Sequence, residues 1–128
     1  TLRRHIEDIG EGEGFRVNLT ITGRERRFAP YKEVTAFRVI QELLTNARDV
    51  SYATRAQVNV DIGEDRILVS VEDDGSGFEM SELGRGGTVA ERMGLDTLRE
   101  RVEMLGGRFQ IESVPGRGTR ALFEIPLP

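Results

Sequence analysis

Apolar residues recur at every second position in five stretches of this chain: residues 15–21, 58–62, 67–71, 109–111 and 121–125. The positions between them are mostly polar. Side chains of a β-strand point alternately to its two faces, so this period predicts five strands, each with one buried and one solvated face.

A period near 3.6 replaces the alternation in two places. Between residues 33 and 53 the apolar positions cluster on one side of a helix. Pro30 stands where the first turn of that helix accepts proline. A second helix is predicted after Gly94, ending at residues 106–107. Residues 79–93 contain three glycines and show no sustained period, which predicts a mobile loop.

Because every predicted strand is polar on one face, the helices must cover only one side of the sheet. A parallel sheet covered on both sides would show continuous apolar runs instead. The short turn at residues 63–65 joins its two strands as an antiparallel hairpin. The predicted fold is therefore α/β: a two-layer sandwich with a mixed, mostly antiparallel sheet and helices on one face.

Length and composition narrow the class of protein. The 128 residues suffice for one domain, which we place at residues 15–128. Residues 1–14 are expected to be a linker or the tail of a preceding helical domain. The net charge of −4 argues against a nucleic-acid partner. The absence of cysteine and of a long apolar run fits a cytoplasmic domain, and leaves open whether the parent protein is membrane-anchored.

A polar stripe runs along the first predicted helix, since steps of three and four residues keep Arg38, Glu42, Asn46 and Asp49 on one side. An asparagine amide oxygen and a nearby carboxylate suit a hard cation such as Mg²⁺, directly or through its waters. The alternative is an ordinary solvated helix face.

The motif Asp-Asp-Gly-Ser-Gly at residues 73–77 follows a predicted strand directly. A carboxylate at a strand end, followed by bare glycine backbone, suits a ligand that carries a hydrogen-bond donor. The alternative is an acidic turn, since Asp-Gly is a common turn dipeptide. The residues alone leave open which of the two carboxylates, Asp73 or Asp74, would contact the ligand.

The glycine-bearing loop leads through Gly94 into a helix, and backbone N–H groups at a helix start favour phosphate. The chain lacks both the G-K-[ST] of a P-loop and the G-x-G-x-x-G of a dinucleotide-binding fold. A different phosphate-binding scheme is required.

Four motifs resemble those of the GHKL ATPases and occur in the family's order. Residues 42–47, Glu-Leu-Leu-Thr-Asn-Ala, resemble the asparagine box, and residues 73–77 the first glycine box. Residues 93–101 with Leu-Gly-Gly at 105–107 resemble the second glycine box, and Pro-Gly-Arg-Gly-Thr at 115–119 the closing Gly-Thr turn. The residues of the second glycine box most resemble those of sensor histidine kinases of the nitrate-sensor and DesK-like group. The resemblance implies the Bergerat fold, itself a sandwich with helices on one face.

The resemblance also implies an adenosine site. Asp73 would accept a hydrogen bond from the adenine amino group of ATP. Thr119 would support that contact through water. Gly75 and Gly77 would let the adenosine lie against the backbone.

For the phosphates, the resemblance implies that Asn46 binds Mg²⁺ and that Glu42 assists through a bound water, which makes these two the catalytic residues. The loop 79–93 would be the ATP lid. Gly94 and Leu95 would meet the phosphates. Catalysis would consist of positioning ATP and neutralising its charge.

As implied by the resemblance, the γ-phosphoryl group would pass to a histidine on a separate dimerisation domain of the same protein. The parent protein would be a homodimer that works with a response regulator. Two positions depart from the family pattern: Asp49 replaces a basic residue and Val50 an aromatic or histidine. They motivate one alternative, a nucleotide-binding module without catalysis. Another alternative is a serine kinase of the anti-sigma-factor type.

Overall fold

The computed structural model describes residues 14–24, 29–82 and 93–127. Within these ranges it contains five strands, two α-helices and one short 3₁₀ helix. In chain order they are β1 (Arg16–Gly23), α1 (Pro30–Asp49), β2 (Arg55–Ile62), β3 (Arg66–Asp73), the 3₁₀ turn Met80–Glu82, α2 (Leu95–Glu103), β4 (Arg108–Val114) and β5 (Gly118–Pro126).

The five strands form one sheet in the order β1-β2-β3-β5-β4. β1 and β2 are parallel, because α1 carries the chain back between them, and every other neighbouring pair is antiparallel. The mixed, mostly antiparallel sheet is as predicted. The register places Asp73, the last residue of β3, opposite Thr119 of β5.

The core lies between the helices and one face of the sheet. The largest fully buried side chains come from both layers: Ile40, Leu44, Leu98 and Val102 from the helices, and Val58, Val60, Ile67, Val69, Phe123 and Ile125 from the strands. The opposite face is polar. It carries hydrogen bonds from Gln57 to Asn59 and from Asn59 to Ser70, and the ion pair of Arg120 with Glu72. The predicted single covered face is therefore confirmed.

Helix α1 begins at Pro30, as predicted, and ends at Asp49 rather than near residue 53. The N–H groups of Val50 and Ser51 both donate to the Asn46 carbonyl, which closes the last turn. The chain then turns away through Tyr52, whose φ of 53° lies in the left-handed region. The helical period of apolar residues extends past the end of α1, because the loop that follows also buries apolar side chains.

Two predicted segments fall largely outside the described residues. These are residues 1–13 of the expected linker and residues 83–92 of the predicted loop. Among the described residues, no helix is both long and apolar enough to cross a membrane.

Candidate functional site

A crevice lies where the C-terminal half of α1 and the start of α2 meet the ends of β3 and β5. It encloses about 290 Å³, including its opening to solvent. Its lining combines polar side chains at one end with an apolar wall: Leu43, Asn46, Ala47, Val71, Asp73, Met93, Leu95, Ile111, Thr119 and Ala121. Four of the residues predicted from the motifs, Asn46, Asp73, Leu95 and Thr119, are therefore brought together, although each comes from a different motif.

Asp73 is held at the end of β3 with its carboxylate half-buried in this crevice. The N–H of Gly75 donates to its Oδ1 at 2.8 Å. Burial raises the pKa of Asp73 above its ordinary value, against the opposing effect of the backbone N–H groups of Gly75 and Thr119. The neighbouring charge of Asp74 raises that pKa further. A buried carboxylate with acceptor capacity left suits a ligand that brings its own donor.

Asp74 faces the other way and closes a turn. Its Oδ1 accepts from the N–H groups of Thr54 and Arg55, at 2.8 and 3.1 Å, and its Oδ2 accepts from the Thr54 hydroxyl. Burial alone would raise the pKa of Asp74, but these hydrogen bonds from Thr54 and Arg55 bring it below its ordinary value. These contacts fit a residue that shapes the turn, while the ligand contact that the resemblance assigns to Asp73 stays a prediction.

Gly75 and Gly77 are required by the packing of the protein itself. A Cβ on Gly75 would lie 2.6 Å from the Cβ of Ser51. A Cβ on Gly77, whose φ is +66°, would collide with the Val114 carbonyl. The packing of this tight turn is thus sufficient to require glycine at both positions. Their exposure of backbone to adenosine stays a prediction.

Ser113 is a site residue that the motifs do not reveal. It is 5% exposed. Its hydroxyl accepts from the Phe78 N–H at 2.8 Å and lies 2.9 Å from the Thr119 hydroxyl. It also donates to the Gly118 carbonyl at 3.1 Å. A polar residue at a core-facing position of the alternation was the available signal.

Ser51 is a second residue that the motifs do not reveal. Its carbonyl accepts from the Ser76 N–H at 2.8 Å. Its hydroxyl is buried and finds no hydrogen-bond partner among the described residues. Through its carbonyl, Ser51 thus stabilises the turn of the first glycine box.

Asn46 faces the crevice from the last full turn of α1. Its amide Nδ2 donates to the Met93 carbonyl at 2.8 Å. Since a carbonyl can only accept, the amide nitrogen must point there, and Oδ1 remains the available acceptor. This orientation fits a cation ligand.

Glu42 lies one turn before Asn46 on the same side of α1. Its Oε1 accepts from Arg101 Nη1 of α2 at 2.8 Å. Both side chains are partly exposed, 41% for Arg101 and 42% for Glu42. The structure therefore places Glu42 outside the crevice lining, in an ion pair with an arginine that the motifs do not indicate.

The two oxygen donors of Asn46 and Glu42 match the preference of Mg²⁺, which is held by few protein ligands together with waters and phosphate oxygens. No group of three or more acidic, histidine or cysteine side chains gathers as a metal site in the described part of the chain. A cation here would therefore depend on a bound phosphate for the rest of its coordination.

Gly94 caps α2 in the left-handed conformation, with φ of +65°. A Cβ there would meet no atom of the described residues within 4 Å. No side chain caps the helix start, which leaves the N–H groups of the first turn available to an anion. The Leu95 side chain forms part of the apolar wall of the crevice.

Asp49 does not present an uncompensated charge. Arg48 binds it with two hydrogen bonds, Nε to Oδ1 at 2.8 Å and Nη2 to Oδ2 at 3.1 Å. The hydrogen bond from Arg48 lowers the pKa of Asp49 below its ordinary value. The position where the family pattern has a cation is thus occupied by an exposed ion pair.

The chain is similar to known proteins in sequence and in structure. The family model for histidine kinase-, DNA gyrase B- and HSP90-like ATPases matches residues 31–128. The signal transduction histidine-protein kinase/phosphatase DegS of Brevibacillus brevis is 31% identical over 99% of this chain. The oxygen sensor histidine kinase NreB of Staphylococcus carnosus is 29% identical over 98% of it. The chain spans about a third of these relatives, 32% of DegS and 35% of NreB.

Solved structures agree with the fold. The catalytic domain of the histidine kinase ThkA superimposes with a TM-score of 0.75 at 19% identity, covering 98% of this chain and 90% of that domain. A histidine kinase domain from Erythrobacter litoralis EL346 gives a TM-score of 0.68 at 24% identity, covering 98% and 59%. The curated relatives favour the histidine kinase interpretation over a module without catalysis or a serine kinase. The chain belongs to the family of histidine kinase-, DNA gyrase B- and HSP90-like ATPases.

Proposed function

We propose that this domain binds Mg²⁺·ATP in the crevice and supplies its γ-phosphoryl group to a histidine on a dimerisation domain of the same protein. The observation that carries the proposal is the convergence of Asn46, Asp73 and Thr119 on one crevice. These residues come from three separate motifs of an ATPase family and meet only in the folded protein.

Adenine recognition would rest on Asp73. Its Oδ1 accepts from the Gly75 N–H, and a carboxylate has acceptor capacity left for the exocyclic amino group of adenine. Thr119 lies opposite in the register and is oriented by Ser113, so it can hold a water beside that contact. The apolar wall contributed by Leu95 and Met93 would cover the faces of the ring.

The phosphates would lie toward the start of α2. There the backbone of Gly94 and the uncapped N–H groups of the first turn favour negative charge. Asn46 and Glu42 would hold Mg²⁺, which neutralises charge on the transferring phosphoryl group. The residues of this chain position the nucleotide, whereas the nucleophile comes from elsewhere.

The phosphoacceptor histidine, the response regulator and the homodimeric parent protein belong to this proposal, and so do the boundary at residues 14–15 and a cytoplasmic location. They are supported by the sensor histidine kinases that the chain resembles. The sequence that precedes residue 1 in the parent protein is the simplest check, because two long helices with a histidine motif are expected there.

Binding can be measured directly by isothermal titration of the domain with ATP in the presence of Mg²⁺. We expect one site, with affinity lost in Asp73→Asn and the Mg²⁺-dependent part of the affinity lost in Asn46→Ala. An Asp73→Asn protein that bound ATP like the wild type would contradict the adenine assignment.

Transfer requires the full-length parent protein and radiolabelled ATP. Acid-labile, base-stable phosphorylation that disappears in Asn46→Ala would support phosphoryl transfer to histidine. ATP binding without any histidine phosphorylation in the full-length protein would instead identify a non-catalytic nucleotide module.

A further inference from the structure

Both side chains proposed for the metal site are held by the segment 93–101. Asn46 donates to the Met93 carbonyl at 2.8 Å, and Glu42 accepts from Arg101 Nη1 at 2.8 Å. The two bonds join α1 to the segment that begins and forms α2. The first orients a ligand that is already assigned, whereas the second involves an arginine with no role so far.

The Arg101–Glu42 pair contributes little as a structural tie. Each side chain is about two-fifths exposed, 41% and 42%, and ion pairs at that exposure are weakened by solvent and salt. The two helices also share a continuous buried cluster that includes Leu44, Leu98 and Val102. The pair is therefore better explained by where it places the carboxylate than by what it adds to stability.

The ion pair leaves one oxygen of the Glu42 carboxylate available for a cation contact. Arg101 takes Oε1, and among the described residues no hydrogen bond to Oε2 is found. A glutamate has three rotatable side-chain bonds, and a single bond from a guanidinium on the facing helix removes much of that freedom. A fixed carboxylate one turn from Asn46 is what a water-mediated cation contact requires.

We propose that Arg101 is a positioning residue that holds the Glu42 carboxylate toward the cation site beside Asn46. The inference rests on the proposed function and adds a residue to it. Arg101 acts on the metal-bound nucleotide through Glu42, and does not itself bind phosphate. Loss of Arg101 should therefore weaken the metal-dependent part of nucleotide binding and leave the metal-independent part intact.

The test compares Arg101→Met with a matched control on the same helix. Arg99 is also a half-buried arginine of α2, but its guanidinium lies 5.9 Å from the centre of the Phe109 ring and does not contact Glu42. Arg99→Met therefore removes the same charge and a similar hydrophobic stem. Both variants should keep the wild-type melting temperature closely enough for their binding to be compared.

ATP affinity is measured by isothermal titration twice, with excess Mg²⁺ and with EDTA. For Arg101→Met we expect the gain in affinity from Mg²⁺ to fall about tenfold, as when an outer-shell partner of a metal ligand is lost. The affinity in EDTA should stay within about twofold of the wild type. Arg99→Met should match the wild type in both titrations, and Arg101→Lys should restore part of the gain from Mg²⁺.

A double-mutant cycle shows whether Arg101 acts through Glu42. In the Glu42→Gln background, Arg101→Met should cause no further loss of Mg²⁺-dependent affinity, because residues that act through one contact are not additive. An equal loss in both backgrounds would overturn the proposal.

Two other results would also overturn it. Weaker binding of Arg101→Met in EDTA would mean that Arg101 contacts the phosphates directly. A normal response of Arg101→Met to Mg²⁺ would mean that the pair is only a surface contact. Failure of the proposed function is distinguishable, since it would appear as a wild-type domain that binds no ATP under either condition.

Discussion

Asp73 meets two demands that oppose one another. The adenine contact that we propose would use an ionised acceptor, while burial in the crevice disfavours the charge and raises the pKa of the carboxyl group. A group whose folded-state pKa is raised stabilises the fold fully below its unfolded pKa, near 3.8, and this contribution is lost as pH rises through the folded pKa. At neutral pH the ionised Asp73 therefore costs the ligand-free domain some stability.

Replacing Asp73 by Asn should separate the two demands. The amide oxygen can still accept from Gly75, so at pH 7 we expect a higher melting temperature than the wild type together with loss of ATP binding. The difference in melting temperature should shrink as pH falls toward 3.8, where the wild-type carboxyl also becomes neutral. Thermal unfolding at several pH values measures it. A variant less stable than the wild type at pH 7 would contradict the account.

Asp49 provides a second prediction at this scale. Its charge is compensated by Arg48 and not by a phosphate. Asp49→Lys places a cation there and also releases Arg48, so ATP affinity should rise about threefold to tenfold in low salt and less in high salt, because exposed charges are screened. Titration at two ionic strengths measures this change. Arg38→Lys, which preserves charge on the same helix, is the control and should have no effect. Unchanged or weaker binding of Asp49→Lys would show that the departure from the family pattern is not a defect in phosphate binding.

At the scale of elements, one buried hydroxyl of β4 contacts both Phe78, directly after the first glycine box, and Thr119, which we propose to lie beside adenine. Ser113 of β4 satisfies the Phe78 N–H and contacts the Thr119 hydroxyl of β5. Removing it leaves buried polar groups unpaired, which costs the full desolvation penalty of those groups. Ser113 therefore stabilises the end of the first glycine box and also orients the Thr119 side chain.

We expect Ser113→Ala to destabilise the domain by about 1–3 kcal/mol and to weaken ATP binding by misplacing Thr119. Ser70→Ala in β3, which β5 separates from β4, is the matched control. Its hydroxyl makes one longer bond, 3.3 Å from Asn59, on the polar face of the sheet. Chemical denaturation of both variants gives the comparison, and equal losses of stability would contradict the role given to Ser113.

The start of α2 is a second element whose geometry matters more than its side chains. Gly94 adopts φ of +65°, and a Cβ there would meet no atom of the described residues within 4 Å, so Gly94→Ala should fold with a cost of about 1 kcal/mol for the left-handed residue. The added methyl group would also stand over the backbone proposed to face the phosphates. ATP affinity should therefore fall more than AMP affinity, which titration with both nucleotides can compare. An equal loss for the two would place the phosphates elsewhere.

At the scale of the whole molecule, the crevice draws on both layers, since α1, α2, β3, β4 and β5 all contribute to its lining. A ligand that binds there should stabilise the whole domain. At an ATP concentration one hundred times the dissociation constant, the gain is about 2.7 kcal/mol, which should raise the melting temperature by roughly 10 °C for a domain of this size. GTP, which lacks the amino group that Asp73 would read, should give a much smaller shift. Equal shifts for ATP and GTP would argue against recognition of adenine by Asp73.

Local patterns in the sequence were sufficient for the elements and their arrangement in layers. These patterns depend only on which face of an element meets water, and the polarity of each residue indicates that face. Examples are the alternation in residues 15–21 and 121–125 and the helical period after Pro30. The end of α1 was placed about four residues too late, since Ala53 is buried by the loop and not by the helix. An apolar residue in the sequence is compatible with burial in either the helix or the loop, so its polarity does not show where the helix ends.

Short-range spacing and residue chemistry are enough to indicate the family motifs, the covered face of the sheet and the candidates Asn46, Asp73 and Thr119. Which side chains meet across elements depends instead on the folded chain. It paired Glu42 with Arg101, Asn46 with the Met93 carbonyl and Asp49 with Arg48, and it placed Ser113 beneath Thr119. Such contacts depend on the crossing of helices, on strand register and on side-chain rotamers, and none of these follows from the order of the residues within one motif.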